Sequence, residues 1–474
     1  MTSPRSRACV ARQYLVSFFL TLAVFTFPKT ALAEKVLAKG DDWQVYTDGR
    51  VGGFFSWVHG DGFPQNSYVP NPADPNNPTE TQFPLGGGWK AGLEQGQGTL
   101  TQPDQGTINS TRIRSGFVGN QFGLGVRGQA TPSTTVTGYI QVWAWIESSM
   151  RKKGYINTAD VRQGYAKVEG RWGSLLAGRT RTLFSRGATD IDALYGHRWG
   201  VGFPGSSQID DNGPTQGMVG FGVMGSGFSA AIIYATPVLA GFQLSVGAFD
   251  PVQSQGAGNY SRTKWVRPEA ELTFERTFGY TGKVVFFVNG EYQKVYKDSY
   301  CPADLNPIVA LRIPCNQAAE GFGYGGRFEL GPFHLGVAGH YGKGIGFLYA
   351  LEVSDAASDQ SGVFRKTDGY YVQTQVVLSK FDLFAGWGIV RAFRTFGDTY
   401  VDPSDPTAAR ASVISYQMGI NGGVVYNLTP QIHFDVDYFR AQAVWSGAKL
   451  ASGVQSAGER QVLNVLNSGL TFNW

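Results

Sequence analysis

The sequence predicts an all-β chain, a transmembrane antiparallel β-barrel of sixteen strands, and three observations carry that prediction. Apolar and polar residues alternate with period two in one segment after another, which puts alternate side chains on opposite faces of a sheet. Tight turns and long polar loops also alternate along the chain, the layout of a barrel whose strands cross a bilayer. Glycine is abundant, 64 of 474 residues, and aromatics make up 14%, a composition suited to curved strands with rings at the membrane interfaces.

The first element lies outside the barrel. Arg5, Arg7 and Arg12 form a basic region, Tyr14 to Phe27 is apolar, and Ala31-Leu32-Ala33 is an A-x-A cleavage site ahead of Glu34. The apolar run is shorter than the ~20 residues of a spanning helix. Residues 1–33 are therefore expected to be a cleaved signal peptide and 34–474 the barrel. Cys9 precedes the apolar run and so cannot be a lipoprotein anchor. Taking Arg5, Arg7, Arg12 and Lys29 from the 40 basic residues leaves 36 against 36 acidic ones. The basic balance thus belongs to the leader, and nucleic acid loses its support as a partner.

The strands follow in order near 44–58, 109–130, 135–147, 160–168, 174–180, 218–236, 242–249 and 264–276. The second half reads 283–296, 320–330, 333–341, 369–379, 382–393, 412–426, 431–445 and 461–474. The clearest alternation sets Ile432, Phe434, Val436 and Tyr438 against His433, Asp435 and Asp437. Seven tight turns, at Thr131–Thr134, Glu169–Gly173, Pro237–Gly241, Thr277–Gly282, Gly331-Pro332, Lys380-Phe381 and Asn427–Pro430, separate eight longer loops. The stretches 107–121 and 217–227 are ambiguous and leave eighteen strands open. The last strand places Leu466, Leu470, Phe472 and Trp474 on one parity, and a terminal aromatic there looks like an outer-membrane assembly signal. Trp57, Phe122, Phe242, Phe333, Trp387, Tyr426 and Tyr438 are expected in the interfacial belts.

Cys301 and Cys315 lie in a segment rich in Pro, Asp and Asn. In an oxidising compartment the pair reads as a disulfide closing one loop.

Several stretches resemble the Gram-negative general porins, the trimeric sixteen-stranded diffusion channels. Phe122 to Glu147 resembles their second hairpin. Arg162 to Arg179 (RQGYAKVEGRWGSLLAGR) resembles the hairpin leading into the long third loop, and Ala188-Thr189-Asp190-Ile191-Asp192 resembles that loop's acidic stretch. The likeness covers nearly the whole mature chain. It implies an outer-membrane homotrimer, surrounded by lipid and lipopolysaccharide, that passes small hydrophilic solutes and ions. It also implies that the third loop folds into the lumen and narrows it, and it calls for no cofactor or metal.

Strand parity turns Tyr46, Asp48 and Arg50 toward the lumen, opposite Val45, Val51, Phe55 and Trp57, and turns Arg127 and Gln129 inward. Arg162 and Arg179 match wall arginines of the family, and Arg181 shares the parity of Arg179. Gly123 stands where members often carry another arginine, which thins the basic ladder. Asp190 and Asp192 would face that wall, and Glu269, Glu271, Asp435 and Asp437 also read as lumen-facing. The candidate constriction is therefore Arg50, Arg127, Arg162, Arg179, Arg181, Asp190 and Asp192. Opposed rows of charge across a narrow pore create a transverse field that sorts dipolar solutes and ions.

A substrate-selective channel is the alternative, since Trp143 and Trp145 have inward parity and a sugar path would use wall aromatics. An enzyme needs a nucleophile and base held together, yet His59, His197, His334, His340 and His433 are scattered and sit in no such motif. Asp210-Asp211-Asn212-Gly213 lacks the remaining ligands of a calcium loop and reads as a polar turn.

Overall fold

A computed structural model describes residues 34–62, 69–70, 81–82, 107–115, 119–144, 160–193, 218–252, 260, 262–297, 314–347, 357–359, 362–401, 409–410, 413–447, 449–450, 458 and 460–474. The signal peptide, Cys301, Trp145, His197 and the Asp210–Gly213 turn lie outside these residues.

Sixteen strands build a closed antiparallel barrel. They are β1 (Trp43–Asp61), β2 in two pieces (Thr107–Arg114 and Asn120–Thr131), β3 (Thr134–Ala144), β4 (Asp160–Gly170), β5 (Gly173–Arg181), β6 (Phe228–Ala235), β7 (Phe242–Phe249) and β8 (Arg267–Phe278). The ring continues with β9 (Gly282–Tyr296), β10 (Asn316–Leu330), β11 (Phe333–Lys343), β12 (Lys366–Leu378), β13 (Phe381–Ala392), β14 (Ile414–Asn427), β15 (Ile432–Trp445) and β16 (Arg460–Asn473). Each strand pairs with its neighbours in the chain, and β16 closes on β1 from Arg50↔Asn473 to Gly60↔Leu463. Closure leaves no open edge, which hydrocarbon demands because it offers no partner to a bare N–H or C=O. All seven expected tight turns join consecutive strands on one side of the barrel.

The alternation sorts the two faces. On β1, Val51 and Phe55 point outward and are 51% and 50% exposed, whereas Tyr46, Arg50 and Phe54 point inward and are buried. Across β8 and β9 the outward pairs are Leu272↔Val288 and Phe274↔Phe286, and the inward ones are Glu269↔Glu291 and Glu271↔Asn289. Apolar outside and polar inside inverts the arrangement of a water-soluble sheet and fits a barrel set in lipid. Phe122, Phe242, Phe333 and Tyr438 are exposed on the outer surface as the belts require.

Three details differ from the sequence expectation. The strand expected over 218–236 pairs only as Phe228–Ala235, and residues 218–227 form a separate buried arm. The strand expected over 109–130 is interrupted after Arg114, its two pieces pairing with the upper and lower halves of β1. An additional strand, Lys35–Lys39, pairs with the start of β1 from Lys35↔Thr47 to Lys39↔Gln44. It lies below the point where β16 ends, since Trp474 and Gly49 exchange their backbone bonds just above it.

Gly178, in the middle of β5, has φ +135°, and a Cβ there would sit 2.3 Å from the Gly164 carbonyl oxygen and 2.6 Å from the Tyr165 Cα. A residue with a side chain would have to adopt a disfavoured backbone region and push β4 away, at a cost of about 1–3 kcal/mol or more. Gly178→Val should therefore lower the yield of folded, heat-modifiable barrel on unboiled gels and shift its thermal transition downward, whereas Gly138→Ala on β3, where a Cβ meets nothing within 4 Å, should have a much smaller effect.

Candidate functional site

The described start of the third long connection, residues 182–193, leaves the end of β5 and packs on the inner wall of β8 to β12. Its bend is made by Ser185, at φ +61°, and continues into the six-residue helix α1 (Arg186–Ile191). Two carboxylates on the inner face of β8 hold it. Glu269 accepts the backbone N–H groups of Leu183 at 2.7 Å and Phe184 at 2.9 Å, and the Arg267 Nε–H at 2.8 Å. Glu271 accepts from Arg186 Nε at 2.8 Å and from the Gly187 backbone N–H at 3.1 Å. Both are nearly fully buried, and buried carboxylates persist only when such donors replace the water they lose.

Strand β12 supplies a second set of fasteners. The Tyr371 hydroxyl donates to the Ala188 carbonyl at 3.0 Å. The Gln373 amide accepts from the Ala193 N–H at 2.5 Å and donates to Asp192 Oδ1 at 3.2 Å. Asp192 Oδ2 in turn accepts the Met218 N–H at 2.8 Å. That bond ties the outgoing segment to the arm 218–227, in which Met218, Val219, Phe221, Val223 and Met224 are all fully buried. The Phe221 ring lies 5.0 Å from that of Phe439 on β15. At Gly222, φ +115°, a Cβ would fall 2.4 Å from the Tyr370 carbonyl oxygen, so the arm can press this close to β12 only through glycine. The arm rejoins the start of the connection where the Thr182 N–H donates to Gly227 O at 2.9 Å.

The two segments cover the inner wall on one side and leave the other side wet. Beneath the two segments the inner-face residues Glu271, Asn289, Tyr371, Gln373 and Phe439 are buried, whereas Lys283, Arg327 and His334, nearer the tight turns, stay partly accessible. On β3 and β4 the inner-face residues Tyr139, Gln163, Tyr165 and Lys167 remain partly accessible, beside the buried Thr137, Gln141 and Trp143.

The sequence candidates fall into distinct places on this frame. Arg181, the last residue of β5, turns onto the connection: Nη1 donates to Asp190 Oδ1 at 2.7 Å and Nε to Ser226 Oγ at 3.0 Å. Asp190 is accessible at 53% of its side chain, so this pair faces water. Arg162 is the extra residue of a β-bulge, because Gln163 pairs with Gln141 and Val161 with Val142. The bulge re-aims the side chain, and its guanidinium lies 5.0 Å from the Trp143 ring and 5.6 Å from that of Phe228, with Nε 2.7 Å from Asp160. Arg127 is inward but lower, 4.7 Å over the Tyr46 ring and bonded to Glu34. Arg50 is inward and buried, 6.0 Å from the Phe54 ring.

Two candidates are corrected by the structure. Arg179 pairs with Ala230 and Gly164 and shares the outward set of Leu175, Ala177 and Ile232, so it stands on the outer surface of β5. Asp192 is buried and tied to Gln373 and Met218, which makes it a fastener of the connection and not a wall charge. Cys315 is disulfide-bonded. Sequence reasoning missed Glu34, Asp160, Tyr371 and Gln373, since parity indicates the face of a residue but not its partner. Among the described residues no group of three or more His, Cys, Asp or Glu side chains is placed to hold a metal.

The profile of the family described as Gram-negative porin matches residues 23–443 of the chain. No curated protein matches it in sequence. Among solved structures, the outer membrane channel DcaP of Acinetobacter baumannii is similar at a TM-score of 0.56 and 12% identity, covering 93% of this chain and 100% of that one. An anion-selective porin from Comamonas acidovorans is similar at a TM-score of 0.52 and 12% identity, over 91% and 100% of the two chains.

The fastening carboxylates generate a prediction. Glu269→Ala leaves two buried backbone donors and Arg267 without their acceptor, at a cost on the order of 2 kcal/mol or more. Amide hydrogen exchange at Leu183 and Phe184 should accelerate by at least about tenfold, while the outward ladder of β13 and β14 stays protected.

Proposed function

The chain belongs to the Gram-negative porin family, channel-forming barrels of the bacterial outer membrane that are not enzymes, and from that premise we propose that it is a passive diffusion pore for small hydrophilic solutes and ions, narrowed by the third loop. The observation that carries this reading is the one-sided covering of the inner wall. The segments 182–193 and 218–227 leave an accessible strip along β3 to β5, edged on the loop side by the Arg181–Asp190 pair and on the wall side by Arg162, Asp160, Lys167 and Glu169. A solute taking that strip passes between charges of both signs. Their field orients dipolar molecules, and neighbouring charges at ~4 Å in such a setting interact by a few kcal/mol, enough to filter without trapping.

Each of these cations has an acid beside it, which favours weak ion preference over a bare basic ladder. The sugar-selective alternative receives no specific support: Trp143 is 7% exposed and its Nε1–H donates to Gln141 at 2.9 Å, so its ring does not offer a free stacking face. The reading includes export through cleavage after Ala33, a Cys301–Cys315 disulfide on a loop, and a homotrimer in outer-membrane lipid and lipopolysaccharide.

Planar-bilayer recording of the unboiled protein tests the proposal. Ohmic steps in groups of three, little changed by added sugars or phosphate, are expected. Small steps blocked by one solute would favour a selective channel, and a folded barrel without conductance would contradict a pore. Within the same assay, Asp190→Asn removes the acid beside Arg181 and should shift the reversal potential in a salt gradient toward anions, by roughly a twofold change in permeability ratio.

A further inference from the structure

We infer that Glu34 is a tethered counter-charge of the pore, which neutralises Arg127 at the tight-turn end of the lumen and so sets the ion preference of that half of the channel. The inference rests on the pore reading above and adds a determinant that the loop does not contain.

The geometry begins with the strand Lys35–Lys39. It pairs with β1 at Lys35↔Thr47, Val36↔Tyr46 and Lys39↔Gln44, with a bulge between Val36 and Ala38. This docking fixes the residue just before it, Glu34, beside the inner face of β2. Arg127 on that face is inward by register, since it pairs with Gln44 and Thr137 while Val126 and Leu124 carry the outward parity. The carboxylate meets the guanidinium with two parallel bonds, Nη1 to Oε2 at 3.0 Å and Nη2 to Oε1 at 2.8 Å. The fork geometry is the strong form of an Arg–carboxylate contact. Beneath it the guanidinium rests on Tyr46, whose ring stacks 6.3 Å from Tyr139, and the Tyr139 hydroxyl donates to Asp48 at 2.8 Å.

The location gives the pair its consequence. Arg127 lies four residues from the Thr131–Thr134 turn, on the turn side of the level where Arg181 meets Asp190. Both side chains are about a third accessible, 35% for Arg127 and 38% for Glu34, so ions in the lumen sense them. On this wall Arg162 has its acid two residues away in sequence at Asp160, and Lys167 has Glu169. Arg127 alone among these three draws its acid from a separate segment, 93 residues distant. Losing that segment's carboxylate exposes a full positive charge without disturbing any barrel strand.

Cleavage after Ala33 would make Glu34 the first residue and add its ammonium to the same mouth. That charge is common to the wild type and its variants, so a comparison between them still isolates the carboxylate.

The test is the reversal potential of single channels in a salt gradient for the wild type, Glu34→Gln, Arg127→Gln and the double variant. Glutamine keeps the size of the side chain and removes only its charge. Glu34→Gln is expected to raise anion over cation permeability by at least about twofold, the scale of one unit charge several ångströms from an ion in water. Arg127→Gln is expected to move the ratio the opposite way, and the double variant to return near the wild type. Should Glu34→Gln assemble poorly, Glu34→Lys read in the same assay must give a larger anion shift. Conducting channels whose reversal potential ignores Glu34 would overturn the inference and leave the pore standing. A folded wild type that does not conduct would instead remove the pore reading, and this inference with it.

Discussion

Glu269 and Glu271, two residues apart on one face of β8, accept the backbone N–H groups of Leu183, Phe184 and Gly187, and the shape of the lumen depends on those bonds. Taking a carboxylate out of water costs several kcal/mol. Here the cost is offset by backbone donors and by Arg267 and Arg186. Once this root is fixed, Asp192 and Gln373 carry the constraint across the barrel to the arm at Met218. The apolar side chains of that arm then bury against Phe439 and its neighbours. A barrel with a polar interior thus acquires an apolar lining beneath the arm.

The outer face obeys a different constraint. Hydrocarbon gives no hydrogen-bond partners, so the ladder must close and the outward side chains must be apolar. Period two satisfies both demands at once, because one parity can hold Val51, Phe55 and Leu272 while the other holds Arg50 and Glu271. Channel and membrane anchor are therefore written on the same strands, and a shift of one residue in register would exchange them.

This explains what was legible in the sequence. The strand over Ile432–Trp445 and the tight turns follow from local alternation and turn residues, which need no knowledge of tertiary contacts. The stretch 217–227, ambiguous in sequence, opens the strand expected over 218–236, although its Val219, Phe221 and Val223 pack on an inner wall instead of joining the barrel ladder. Arg162 faces inward because of a bulge, a one-residue irregularity with no compositional mark. Arg179 was placed by likeness to a family position, whereas its own ladder partners, Ala230 and Gly164, put it outside. The acids Glu269 and Glu271 were readable as inward, but their role as anchors depends on a segment some 85 residues away.

The central claim is that the lumen is covered on one side and open to water along β3 to β5. Reaction of a small charged thiol reagent with single cysteines in conducting channels tests it most directly. Lys167→Cys should react promptly and lower the current, whereas Phe439→Cys, beneath the Phe221 arm, should stay unmodified. Equal reactivity at both positions would contradict the account.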